Sequence, residues 1–109
     1  MFSSPSGNIG WALGRGGVRC DIRERDWRPP PKPASCELDW GFGLTLDRRG
    51  RGRFNCAGDT VLGSPRTVAY GRSIQRGRFR CVSRVRAMRC FNRRNGHGFA
   101  LSKQAARRF

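Results

Sequence analysis

The sequence predicts an all-β fold, a compact antiparallel sandwich or barrel of about eight short strands held by hairpin disulfides. Three observations predict it. Fifteen Gly and six Pro punctuate 109 residues, favouring turns over long helices. Apolar residues alternate with polar ones in short runs, the period of a half-buried strand. Cysteines fall where facing strands bring them within bridging distance. The length fits one domain with a single core, residues 1–109.

The first hairpin reads in register. Ile9, Trp11 and Leu13 alternate on one strand and Val18, Cys20 and Ile22 on the next, leaving Gly14-Arg15-Gly16-Gly17 as a four-residue turn. Trp27-Arg28-Pro29-Pro30-Pro31-Lys32-Pro33 cannot pair inside a sheet, so it is expected to cross the fold as polyproline II. Cys36, Leu38, Trp40, Phe42, Leu44 and Leu46 then alternate, which predicts one long strand with a bend or bulge at Gly41 and Gly43. Asp47–Arg53 reads as a flexible loop, after which Phe54 and Cys56 return on the inward face. Gly58-Asp59-Thr60 predicts an Asx-type turn. In a second hairpin Cys81 opposes Cys90 and Ser83 opposes Met88 across the turn Arg84–Ala87. A tight Asn95-Gly96 turn then leads into a last strand with Phe99 and Leu101 inward.

Five cysteines without a CxxC pair suit a disulfide framework better than a zinc site, so neither a metal nor a cofactor is expected. Cys81–Cys90 is the best pair. Cys36 and Cys56, both on the apolar face, make a second and buried bridge. Cys20 is left as a free thiol facing Trp11, an inert core residue by its neighbours. Disulfides point to an oxidising, extracytoplasmic or secreted location, although Met1-Phe2-Ser3-Ser4-Pro5 carries neither the basic nor the apolar part of an export signal. No run approaches the roughly 18 apolar residues of a membrane-spanning helix.

Charge is divided unevenly along the chain. All seven acidic residues lie between Asp21 and Asp59, while thirteen of the twenty-three Lys and Arg residues follow Thr60 without one carboxylate among them. Arg78 and Arg80 are predicted on the outer side of the second hairpin with Arg89 facing them, Arg84 and Arg86 in its turn, and Arg93 and Arg94 beyond it. Like charges placed across strands cost stability, so their crowding into one positive wall implies a bound anion, and the guanidinium fork suits phosphate or carboxylate. The same residues on a solvent face that deters edge pairing make the competing explanation.

The motifs SPSGNIG, VRCDI, W-x-PPP-x-P, CAGDTVLG, AYG, RFRC and NGHGFALS, in this order from Phe2 to Phe109, resemble a family of small secreted actinobacterial domains of unknown function. The resemblance implies a disulfide-bonded exported fold with six cysteines, the first of which aligns with Trp11, so that Cys20 has lost its partner. It implies no activity. An Arg-to-Lys ratio of twenty-one to two also fits a GC-rich coding bias.

These readings predict a non-catalytic binding module whose arginine-rich C-terminal half docks on an anionic macromolecule: an acidic protein surface, an envelope polymer or nucleic acid. Sequence-nonspecific nucleic-acid binding is one rival, although the aromatics Trp11, Trp40, Phe42, Phe54 and Phe79 are assigned mostly to the core. A structural part of a larger assembly, such as an envelope complex or viral particle, is another. An enzyme is not expected, because the lone His97 sits in a turn sequence with no legible triad.

Overall fold

The computed structural model describes residues 1–109. Its elements are β1 (Phe2–Ser3), β2 (Ile9–Gly14), β3 (Gly17–Ile22), β4 (Trp40–Leu46), β5 (Arg53–Cys56), β6 (Ser73–Arg76), β7 (Phe79–Ser83), β8 (Met88–Asn92), β9 (Gly98–Leu101) and β10 (Ala106–Arg108). They form two antiparallel five-stranded sheets, β1-β2-β3-β4-β5 and β10-β9-β8-β7-β6. The all-β expectation holds, with ten strands rather than about eight; edge strands as short as the two-residue β1 leave no alternation to read. No helix is long and apolar enough to cross a membrane.

Each sheet is a meander in chain order, so the N-terminal half builds one and the C-terminal half the other. Phe2, Trp11, Cys20, Leu44 and Phe54 line up as one inward row across the first sheet. Ile74, Cys81, Cys90, Phe99 and Arg108 make the matching row across the second. The core lies between these rows, with Trp11, Cys20, Leu44, Phe79, Cys90, Phe99 and Leu101 fully buried. Burying a large apolar side chain contributes roughly 1.5–3 kcal/mol. This shared core, rather than any one hairpin, accounts for the layered arrangement.

The predicted hairpin registers are found: Ile9 pairs Ile22, Trp11 pairs Cys20 and Leu13 pairs Val18, and Cys81 pairs Cys90 with Ser83 opposite Met88. The first turn is tighter than expected, because Gly14 also pairs Gly17 and leaves Arg15-Gly16 between them. Both disulfides form, Cys36–Cys56 and Cys81–Cys90, and Cys20 is free and buried.

The long strand is corrected. Cys36–Asp39 lies outside the sheet, and β4 starts only at Trp40. A bulge between Trp40 and Leu44, with Gly41 at φ +78°, breaks the alternation where the glycines stand. Phe42 is therefore 51% exposed and Leu38 53% exposed, not inward. Cys56 is exposed too, so the Cys36–Cys56 bridge runs to the surface instead of lying buried. It ties the segment that follows the proline crossing to edge strand β5.

Candidate anion-binding surface

The meander topology turns the charge division along the chain into a division between sheets. Every Asp and Glu belongs to the first sheet or its loops, and the second sheet, from Ser73 to Arg108, has none. The ion pairs are Arg19 with Asp21 and Asp59, and Arg53 with Asp47. None of the seven predicted arginines is neutralised by a carboxylate.

Those seven do not form one wall. Arg80 and Arg89 stand on the outer face of the second sheet, opposite Phe91 and Val82 respectively. The Arg89 guanidinium lies 4.5 Å from the ring centre of Phe109 and 5.7 Å from that of Phe91, a stacked position that holds the side chain against the sheet. Arg84 and Arg86 sit in the β7–β8 turn, beside a cleft of about 420 Å³ shared with Arg23 and Lys103. Arg78, Arg93 and Arg94 occupy the opposite end, roughly 15 Å away at the ordinary rise of a strand. The expectation of a single surface thus gives way to three locations, because the residues occupy both ends of one hairpin as well as its face.

The end holding Arg78, Arg93 and Arg94 gathers further arginines from the other sheet. The Arg93 amide donates to the Arg78 carbonyl at 2.7 Å, locking the β6–β7 and β8–β9 turns together. Asn92 is fully buried at the end of β8, and its side chain reaches both ways. Its Nδ2 donates to the Arg48 carbonyl at 3.3 Å, while its Oδ1 accepts from the Arg94 amide at 2.9 Å. Asn95 Nδ2 donates to the carbonyls of Arg48 and Arg49. The loop read as flexible is therefore fastened at Arg48, and its other side is turned by Asp47 Oδ1, which accepts from the Arg49 and Gly50 amides. Arg15, in the β2–β3 turn, packs beside Gly77, within 4 Å of where a β-carbon there would stand.

Arg15, Arg48, Arg78, Arg93 and Arg94 consequently converge at one end of the sandwich from four separate connections. The Arg78 guanidinium is held below its ordinary pKa by loss of solvent, then by the positive charges of Arg94 and Arg48. The nearest acid in sequence, Asp47, is engaged with Arg53 at 3.0 Å. Chemically this is a group of donors with no internal acceptor, suited to an anion that several guanidinium forks bind together. Arg15, Arg48 and Asn92 are missing from the sequence-based set. Only the Asn-Gly turn signal at residues 95–96 hinted that this corner was structured.

Three other expectations are placed by the structure. Trp11 and Phe79 are core residues as assigned, but Trp40 and Phe54 are only half-buried and Phe42 is exposed. Arg25 lies 4.7 Å from the Phe42 ring centre and 4.9 Å from that of Trp27, and Arg108 lies 5.2 Å from that of Phe54. His97 has a turn role: its amide donates to Asn95 Oδ1, and its Nδ1 lies 3.3 Å from the Phe109 carbonyl oxygen. The Asx-type turn expected at Gly58-Asp59-Thr60 is not made by Asp59: its carboxylate accepts from Arg19 Nη1 at 2.8 Å, tying the segment to β3, while the Val61 amide donates to Asp21 Oδ2.

Over all of residues 1–109 the chain matches a family of unknown function, DUF6636, and it belongs to that family. No curated protein and no solved structure matches it.

Proposed function

We propose that this member of DUF6636 is a non-catalytic binding module that docks on an anionic macromolecule through the arginine end of its sandwich. The observation carrying the reading is the convergence of Arg15, Arg48, Arg78, Arg93 and Arg94 at one end, fastened by Asn92 and unmatched by any carboxylate. Holding the backbones that carry these guanidinium groups at one end makes their mutual repulsion a cost of the unbound state, and a multivalent anion relieves that cost. Arg80, Arg89, Arg84 and Arg86 extend the positive field rather than forming the contact centre. Two disulfides support an exported or extracytoplasmic setting.

A salt titration of binding to an acidic polysaccharide, single-stranded DNA and RNA, comparing wild type with R48S/R78S/R94S and with R84S/R86S, tests the assignment. The triple variant should fold, lose most of its affinity and, for nucleic acid, show a salt slope smaller by about 3. R84S/R86S should retain more. Undiminished affinity in the triple variant rejects the site.

Sequence-nonspecific nucleic-acid binding remains the second reading, favoured by half-exposed aromatics beside Arg25 and Arg108. Binding confined to DNA and RNA selects it. Failure to bind any of the three polymers selects instead a structural place in a larger assembly, with the basic surface buried against acidic neighbours.

A further inference from the structure

Anion binding makes no use of the three sulfurs at the centre of the core. Cys20 lies in the inward row of the first sheet, between Trp11 and Leu44. Cys81 and Cys90 oppose one another in the facing row and are bridged. Packing of the two rows brings the free Cys20 Sγ to 3.9 Å from Cys90 Sγ, and all three residues are at most 1% exposed. A thiol in contact with a disulfide sulfur has only to lose its proton to be a nucleophile beside its electrophile, and exchange between them needs no external oxidant or reductant.

We propose that the protein exists as two interconvertible disulfide isomers, Cys81–Cys90 with Cys20 free and Cys20–Cys90 with Cys81 free. In the step that links them, the Cys20 thiolate attacks Cys90 Sγ. The new Cys20–Cys90 bond forms as the Cys81–Cys90 bond breaks, and the electron pair leaves on Cys81. Cys81 then takes up a proton, matching the one Cys20 gave up. Total thiols and disulfides are unchanged.

The two isomers differ mechanically. The first staples strands already paired within one sheet, across 9 residues of chain. The second joins β3 to β8 across 70 residues and ties the sheets to each other. Closing a longer loop restricts the unfolded chain more, so the second isomer should better resist separation of the sheets. Burial, and secondarily the charge of Asp21, pushes the Cys20 thiol pKa well above its ordinary value. Thiolate is therefore scarce in the closed core, and exchange is slow and tied to transient opening. The same burial shields Cys20 from solvent oxidants, leaving Cys90 as its partner.

Disulfide mapping provides the test. Folded wild-type protein is incubated at neutral pH, quenched in acid, denatured, alkylated under acidic conditions and proteolysed without reduction. A Cys20–Cys90 linked peptide with alkylated Cys81 should grow in beside the Cys81–Cys90 peptide, and C20S should show no alkylated Cys81. Label confined to Cys20 at every time overturns the proposal. In a second arm C81S is folded in a glutathione redox buffer. Expected is a Cys20–Cys90 link and no titratable thiol after denaturation; two free thiols in folded C81S equally overturn it.

Discussion

Asp21 is only 3% exposed, yet its carboxylate is fully used. Oδ1 accepts from Asn55 Nδ2 at 2.8 Å and Arg19 Nε at 3.3 Å; Oδ2 accepts from Arg19 Nη2, Thr60 Oγ1 and the Val61 amide at 2.9, 3.1 and 3.0 Å. Arg19 continues to Asp59, so one buried charge fastens the Asp59–Val61 segment and β5 to β3. Removing it leaves donors buried without acceptors. D21A should lose about 2–4 kcal/mol of stability in a urea titration, most of it from those orphaned groups. A change within about 0.5 kcal/mol would place Asp21 among ordinary surface residues. In sequence Asp21 is simply the polar residue of an alternating strand, and nothing local announces partners 34 to 40 residues away.

Among the strands, the part of β4 that departs from simple alternation is set by contacts with other elements. At Gly41 a β-carbon would come within 2.4 Å of Pro29 Cβ, so the proline crossing packs directly on the bulge, and φ +78° is easy only for glycine. Gly43 sits opposite Asp21, where an added β-carbon would stand 1.8 Å from the Cys20 carbonyl oxygen. G43A should therefore disrupt the β3–β4 pairing and cost about 1–3 kcal/mol or more. Gly14 has open space around it and should accept Ala within about 0.5 kcal/mol. Equal denaturation midpoints for the two variants would show that the close approach is not what the sheet requires. Period two is a sound guide while a strand keeps one pairing, as in β2, β3, β7 and β8. It fails at the β4 bulge, where Gly41–Gly43 span a single residue of β5 and Phe42 turns outward, while Leu44 and Leu46 return to the inward face.

At the scale of the whole molecule a net charge of +16 meets few ion pairs, so long-range repulsion opposes compactness. Screening should relieve it. Raising sodium chloride from low to physiological strength is expected to lift Tm by on the order of 5 °C. Millimolar sulfate at matched ionic strength should lift it further by binding the native state, and R48S/R78S/R94S should lose that excess while keeping the chloride effect. A Tm that falls with salt, or a sulfate excess undiminished in the variant, contradicts the arginine-end assignment.

What the linear order of residues determined by itself was local: the β class, both hairpin registers, both cysteine pairs, the isolation of Cys20 and the concentration of positive charge after Thr60. Most rest on spacing of a few residues, on turn chemistry or on composition, which survive folding unchanged; the Cys36–Cys56 pair, 20 residues apart, forms although the continuous strand and shared buried face expected for it do not. Tertiary structure alone decided which charges meet. Arg15, Arg48 and Arg78 lie about 30 residues apart in sequence, and they come together because stacking two meanders brings turns from both sheets to one end of the sandwich. The same stacking placed Cys20 against Cys90. Contacts between layers depend on how the two inner faces interlock, and the periodicity of a single strand carries no record of the face it will meet.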